Sequence, residues 1–141
     1  ANSLSELGTI YFYQGNYAKG DSILLKSKEI QEKILGKEHP DYSLTLNNLG
    51  AIYFEQNNYS KAEVFWLESL KIKEKTIGKN MDYAYNLSNL AALYDNMGNY
   101  SKAEPLFLET LEIIQKIKGI NHNDYAYTLN MLGGMYLYQN L

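Results

Sequence analysis

Leu49–Gly78 reads LGAIYFEQNNYSKAEVFWLESLKIKEKTIG, and the chain writes this string almost three times. Leu7–Gly36 is LGTIYFYQGNYAKGDSILLKSKEIQEKILG and Leu90–Gly119 is LAALYDNMGNYSKAEPLFLETLEIIQKIKG. A fourth copy opens at Leu132 as LGGMYLYQN. The copies recur about every 42 residues. Self-similarity at a period of roughly 20–50 residues marks a stack of identical supersecondary units, since one unit alone cannot bury its apolar face.

Each copy holds two helical patterns. In the first, helix A, apolar residues fall at i, i+4, i+7 and i+11: Tyr42, Leu46, Leu49, Tyr53; then Tyr83, Leu87, Leu90, Tyr94; then Tyr125, Leu129, Leu132, Tyr136. That spacing is helical and not strand-like. Helix A is expected to start at Asp41-Tyr42, Asp82-Tyr83 and Asp124-Tyr125, where an acidic residue meets the positive end of the helix dipole. Pro40 suits the first turn, where its missing N–H costs nothing. Helix B carries the second stripe, Tyr59, Ala62, Phe65, Trp66, Ser69, Leu70 and Ile72 in copy two and Tyr100, Ala103, Leu106, Phe107, Thr110, Leu111, Ile113 and Ile114 in copy three. Its other face holds Glu29/Lys33 and Glu112/Lys116 at i, i+4, the pattern of a solvated helix surface.

Punctuation agrees with this reading. Gly15, Asn57 and Gly98 share the one position suited to the left-handed conformation that ends a helix. Asn16, Asn58 and Asn99 follow as N-caps of helix B. A small residue, Gly8, Gly50, Ala91 or Gly133, follows the second Leu of every helix A. A mid-helix Gly costs about 1 kcal/mol relative to Ala, so its recurrence implies close approach of a partner helix. Copy one departs from the pattern at Gly20-Asp21, where the others have Ala-Glu, and a looser helix is expected there. The outer face of the last helix (Leu132, Met135, Tyr136) is expected to be open, which invites a homodimer or domain swap.

Composition excludes several functions. Net charge is −3, and all 13 basic residues are Lys, with no Arg. Nucleic-acid binding calls for a clustered Lys/Arg footprint, so no nucleic-acid partner is expected. Bidentate phosphate or carboxylate capture is likewise Arg chemistry. An AT-rich genome accounts equally well for a Lys- and Asn-rich chain. With no Cys there is no thiolate metal site or disulfide framework. No apolar run approaches the roughly 18 residues of a membrane span, and no signal peptide is visible, so a cytoplasmic setting without a membrane partner is expected. The opening residues already fit the repeat, as though the chain belonged to something longer. No catalytic residue, metal site or cofactor is expected. His39 and His122 occupy linkers without neighbouring ligands and read as linker or capping residues. No G-x-S-x-G elbow or Gly-rich phosphate loop is present.

The pattern Leu-(Gly/Ala)-x-x-Tyr followed by Asn-Tyr-x-Lys-Ala-Glu resembles the tetratricopeptide repeat, in the longer variety similar to kinesin light chain. The resemblance covers essentially the whole chain. It implies an all-α fold, a right-handed superhelical solenoid of antiparallel helix pairs, with repeats at 1–38, 39–79, 80–120 and a partial repeat, helix A only, at 121–141. It implies a non-catalytic scaffold that binds a peptide or protein segment on the concave face lined by the A helices. Alternatives are a regulatory segment of a larger multidomain protein acting in cis, and a self-assembling array. Transferred by register, the concave face has rows Asn2/Leu44/Tyr85/Tyr127, Ser5/Asn47/Ser88/Asn130, Glu6/Asn48/Asn89/Met131 and Thr9/Ala51/Ala92/Gly134, with Tyr13/Glu55/Asn96/Tyr138 beyond.

From these rows Asn47, Asn48, Tyr85, Ser88, Asn89, Tyr127 and Asn130 are the candidate peptide-binding residues, with Glu55 and Asp95 as acidic attractors beside Glu6. Asn48 and Asn89 match positions where the family often places a peptide-binding Asn, and a carboxamide can both donate to and accept from a peptide unit. Tyr85 and Tyr127 add flat apolar area with a hydroxyl handle. No A helix carries a basic residue, so an acidic tail is not the expected ligand; a neutral, polar-aromatic or mildly basic segment is.

Overall fold

The structure is a computed structural model that describes residues 2–140, with side chains from residue 3 onward. It contains the helices α1 (Asn2–Tyr13), α2 (Tyr17–Ile34), α3 (Pro40–Glu55), α4 (Tyr59–Thr76), α5 (Met81–Asn96), α6 (Tyr100–Ile117) and α7 (Asn123–Gln139), and among the described residues no strand. The fold class is all-α, a helical-repeat solenoid type. By contact the chain divides into two compact units, Ala1–Thr76 with α1–α4 and Ile77–Leu141 with α5–α7.

Local chemistry fixes the helix ends. His39 and His122 sit in extended backbone before α3 and α7, and each Nδ1 accepts the N–H of the acidic residue two positions on, Asp41 at 3.1 Å and Asp124 at 3.2 Å. Both histidines are therefore helix caps. Asn80 caps α5 by accepting from the Tyr83 N–H at 3.1 Å. Between A and B helices, Gly15, Asn57 and Gly98 take positive φ of 73°, 59° and 72°. The following N–H reaches back to the last turn in each case, Asn16 to Tyr11 O, Asn58 to Tyr53 O and Asn99 to Tyr94 O at 2.8–2.9 Å. This is the Schellman closure expected of a left-handed helix end. Asn16 and Asn58 then cap α2 and α4 through their side chains. Asn99 does not; the Ser101 hydroxyl donates to its Oδ1 at 3.0 Å and occupies the acceptor instead.

In unit 1, α1 packs on α2, α3 on α4, α2 on α3, and α1 touches α3. Leu24, Tyr42, Leu46, Leu49, Ile52, Ala62 and Trp66 form its buried centre. The close approach expected at the small A-helix position is present: a Cβ on Gly8 would lie 2.6 Å from Leu24 Cγ, and one on Gly50 would lie 2.4 Å from Trp66 Cδ1. Trp66 also packs on Phe54, and its indole N–H donates to Asn47 O at 3.0 Å. Copy one is not looser at Gly20. Its helix α2 runs unbroken, and Gly20 is buried against Ile52 and the α1 backbone at Gly8 O, so the missing methyl lets the helices meet. Asp21 accepts from the Tyr53 hydroxyl at 2.7 Å.

In unit 2, α5 packs on α6 and α6 on α7. Tyr83, Leu87, Leu90, Leu93, Phe107, Ile113, Ile114 and Met135 form the centre. The Tyr136 hydroxyl donates to Glu104 at 2.7 Å, in the same repeat register as the Tyr53–Asp21 pair. The expected open face of α7 needs correction. Leu132 and Met135 are buried, because they point to the side that packs within the unit; Tyr136 is exposed as expected, together with Tyr127, Leu129, Leu137 and Tyr138 of the same helix. No atom lies within 4 Å of a Cβ placed on Gly133.

Buried phenols couple this packing to pH. The Tyr42 and Tyr53 rings are enclosed, and burial first, then Glu68 beside Tyr42 and Asp21 beside Tyr53, pushes both hydroxyls well above the usual tyrosine range. An unfolded Tyr ionises near pH 10. The folded state holds the neutral form, so this stabilisation is complete below about pH 10 and is lost as pH rises beyond it. The unfolding temperature is expected to hold steady from pH 7 to about 9.5 and then fall, with phenolate absorbance at 295 nm lagging for these two rings until the chain unfolds. Titration of all 14 tyrosines as one class near pH 10 in a folded chain would contradict this.

Candidate functional site

Each unit brings two A helices together, and each pair encloses a cavity. In unit 1 the cavity lies between α1 and α3, with α2 behind it, and measures about 570 Å³. Ser5, which lines it, belongs to a buried hydroxyl cluster. Ser5 Oγ lies 2.7 Å from Ser27 Oγ and 2.9 Å from Thr45 Oγ1, and Gln31 Nε2 donates to Ser5 Oγ at 3.3 Å. Gln31 is fully enclosed, and its Oε1 has no hydrogen-bond partner. On one wall Asn48 Nδ2 donates to Thr9 Oγ1 at 3.0 Å, while the Thr9 hydroxyl donates to Ser5 O at 2.8 Å. Glu6 and Asp41 supply carboxylates, and the exposed side chains of Ile10, Tyr13 and Leu44 complete the lining.

Unit 2 repeats the cavity in register between α5 and α7, at about 170 Å³. Ser88 stands where unit 1 has Ser5, Asn89 where it has Glu6, Thr110 where it has Ser27, Ile114 where it has Gln31, and Asp124 where it has Asp41. Here the Tyr85 hydroxyl donates to Asp124 Oδ2 at 2.8 Å. That hydrogen bond pushes the Tyr85 hydroxyl above its usual range. Tyr127 and Thr128 close the other side.

The candidate residues read from register are distributed unevenly. Asn48 lines the first cavity, and Tyr85, Ser88, Asn89 and Tyr127 line the second. Asn47, Glu55, Asp95 and Asn130 line neither. Asn47 accepts the Trp66 N–H through its backbone, and its side-chain Oδ1 is enclosed without a partner. Asp95 is half-buried, and burial raises its carboxyl above the usual range. Glu55 and Asn130 are exposed, and the side chain of Asn2 lies outside the described residues. Gln31, Ile10 and Asp41 join the site although helix periodicity does not pick them out. For Gln31 a signal exists: the column Gln31/Lys73/Ile114 mixes polar and apolar residues at a position that is buried in all three copies.

Charge is segregated by helix type. None of α1, α3, α5 and α7 carries a Lys; every Lys lies on α2, α4, α6 or at positions 37, 79 and 118. On the B helices Lys33–Glu29 and Lys116–Glu112 pair at 2.9 Å, as a solvated face does. A hollow of about 270 Å³ beside α6 is bordered by Lys79, Glu109, Glu112 and Lys116, whose charges pair with one another. Among the described residues no group of three or more His, Asp or Glu could hold a metal ion, and no helix is long and apolar enough to cross a membrane.

A helix pair repeated in register, with small residues at the A/B crossing and a cavity between the two A helices of each unit, defines a helical-repeat protein. The tetratricopeptide repeat family model matches residues 1–75 and 82–141, and the chain belongs to that family. No curated protein matches it. Among solved structures it is similar to BtubC (BKLC) from P. vanneervenii, with a TM-score of 0.88 and 22% identity over 94% of this chain and 54% of that one. It is similar to a Podosopora anserina putative kinesin light chain with nearly identical TPR-like repeats, with a TM-score of 0.84 and 22% identity over 96% of this chain and 64% of that one. The N-terminal domain of stress-induced protein-1 from C. elegans matches with a TM-score of 0.68 and 17% identity over 93% of this chain and 92% of that one. The chain thus spans between half and two thirds of the length of the first two. The repeat variety is the kinesin-light-chain-like one.

Proposed function

We propose that this chain is a non-catalytic binding array, one continuous set of repeats working in the cytoplasm, that holds a peptide or protein segment on its A helices. The observation that carries the reading is the pairing of Lys-free A helices with solvent-open cavities between them, lined by carboxamides, hydroxyls and carboxylates. Such groups can meet the donors and acceptors of a peptide backbone, which are costly to bury unpaired. Asn48, Asn89, Ser88, Tyr85 and Tyr127 are the proposed contacts, one or more in each cavity. Asn47, Asn130, Glu55 and Asp95 are proposed as outlying contacts on the same helices. A surface with Glu6, Glu55 and Asp95 and no cation on these helices attracts neutral or basic segments and repels acidic ones.

Labelled peptide pools of basic, neutral and acidic composition test this by fluorescence polarisation. The basic or neutral pool is expected to bind best, and the Asn48→Ala/Asn89→Ala double variant to weaken that binding about tenfold, as befits the loss of two peptide-unit hydrogen bonds. Preference for the acidic pool, or unchanged binding by the double variant, would move the site off the A helices.

A further inference from the structure

We infer that the α1/α3 cavity of unit 1 is a receptor for one cationic side chain, lysine or arginine, of the bound segment. This deepens the peptide-binding reading and rests on it. Three observations converge. First, Gln31 is fully enclosed, its Nε2 donates one N–H to Ser5 Oγ at 3.3 Å, and its Oε1 is an acceptor without a donor. An occupant that completes it brings a hydrogen-bond donor, which a Lys or Arg head supplies. Second, the charged groups of the lining are acceptors too. Glu6 and Asp41 are carboxylates, acceptor-only when ionised, and no Lys lines the cavity. His39 Nδ1 lies 3.8 Å from Asp41 Oδ2, but it already accepts the Asp41 N–H and so has no proton to give there. Third, the mouth is apolar: Ile10, Leu44 and Tyr13 are exposed around it, a surface along which the methylene stem of Lys or Arg packs while its head reaches polar groups. The cavity volume, about 570 Å³, lies within the span of small-ligand sites, about 300–1,000 Å³.

The register-equivalent cavity of unit 2 is an internal control. It has Ile114 in place of Gln31 and Asn89 in place of Glu6, and Tyr85 already donates to Asp124 at 2.8 Å. The same fold there lacks both the orphaned acceptor and the second carboxylate. Cation selection therefore belongs to the first cavity alone.

The test is an NMR titration of the ¹⁵N-labelled chain with N-acetyl-lysine methylamide, its arginine counterpart and its uncharged norleucine counterpart. The cationic probes are expected to shift the Gln31 side-chain carboxamide together with Thr9 and Asn48, and to bind several-fold more tightly than the norleucine probe. Glu6→Gln, an exposed change that leaves the helix intact, is expected to weaken the cationic probes about two- to fivefold, the scale of an exposed ion pair. Gln31→Ile, checked for folding by circular dichroism, should abolish the preference for charge, while Glu74→Gln on the exposed face of α4 should change nothing. Equal or tighter binding of the norleucine probe, or no shift at Gln31 with the cationic probes, overturns the inference. Peptide pools that still bind through Asn48 and Asn89 in that event would leave the broader function standing; loss of pool binding with the lysine response intact would remove the function and keep the cavity.

Discussion

Trp66→Ala lowers the unfolding free energy of unit 1 by about 3–5 kcal/mol, the range for emptying a buried large aromatic site. The indole is 3% exposed, packs on Phe54, and fills the space that Gly50 leaves open on α3. Its N–H is also the donor for Asn47 O at 3.0 Å, so truncation removes a cross-helix hydrogen bond along with the packing. Gly50 cannot collapse into the void because it has no side chain to move. Urea denaturation followed by far-ultraviolet circular dichroism reads the effect, since the only Trp is gone. Trp66→Phe, which keeps ring volume but loses the donor, should cost less than the Ala change. A loss under about 1 kcal/mol for Trp66→Ala would mean that α3 and α4 do not meet through this side chain.

Gly50→Ala and Gly133→Ala, the same substitution at the same repeat position, are expected to act in opposite directions. At Gly50 the new Cβ would lie 2.4 Å from Trp66 Cδ1 and Nε1, closer than any ordinary contact. Helix propensity favours the Ala by up to about 1 kcal/mol. Overpacking a filled core costs about 1–3 kcal/mol and is expected to prevail, because moving the indole also breaks its bond to Asn47 O. At Gly133 of the 141-residue chain nothing lies within 4 Å, so only the propensity gain remains, about 0.5–1 kcal/mol. Urea midpoints of the two variants against the parent decide the matter. Stabilisation by Gly50→Ala would show that the α3/α4 crossing is wider than described.

Most of the fold was legible because the repeat states it several times over. Tyr42, Leu46, Leu49 and Tyr53 fall at helical spacing and are all buried. The Gly50 column announced a close helix crossing, and Trp66 fills it. Asn57 in a Gly column marked a left-handed turn residue, and its φ is 59°. Errors came where one copy differs from its siblings or where a face depends on its neighbours. Gly20 looked like a weak point in α2, yet it is the contact that lets α2 approach Gly8 and Ile52. Leu132 and Met135 looked open because the repeat pattern assigns that face to a helix B, whereas their own unit already buries them.

The site was legible at the level of rows and illegible at the level of chemistry. Asn48, Tyr85, Ser88, Asn89 and Tyr127 follow from register and do line the cavities. Gln31 could not be found that way. Its column in the B helices can mark the position as buried, but its importance rests on an unpaired atom that only three-dimensional packing reveals. The hydroxyl cluster of Ser5, Ser27 and Thr45 joins three helices through hydrogen bonds that no single helix pattern encodes.

Chemical-shift mapping of the labelled chain with the best-bound peptide of the basic or neutral pool tests the central claim most directly. The account expects the perturbed amides to cluster on α1, α3, α5 and α7, with Thr9, Asn48, Asn89 and Tyr127 among them. Perturbations confined to the Lys- and Glu-rich faces of α2, α4 and α6, with the cavity residues unmoved, would contradict it.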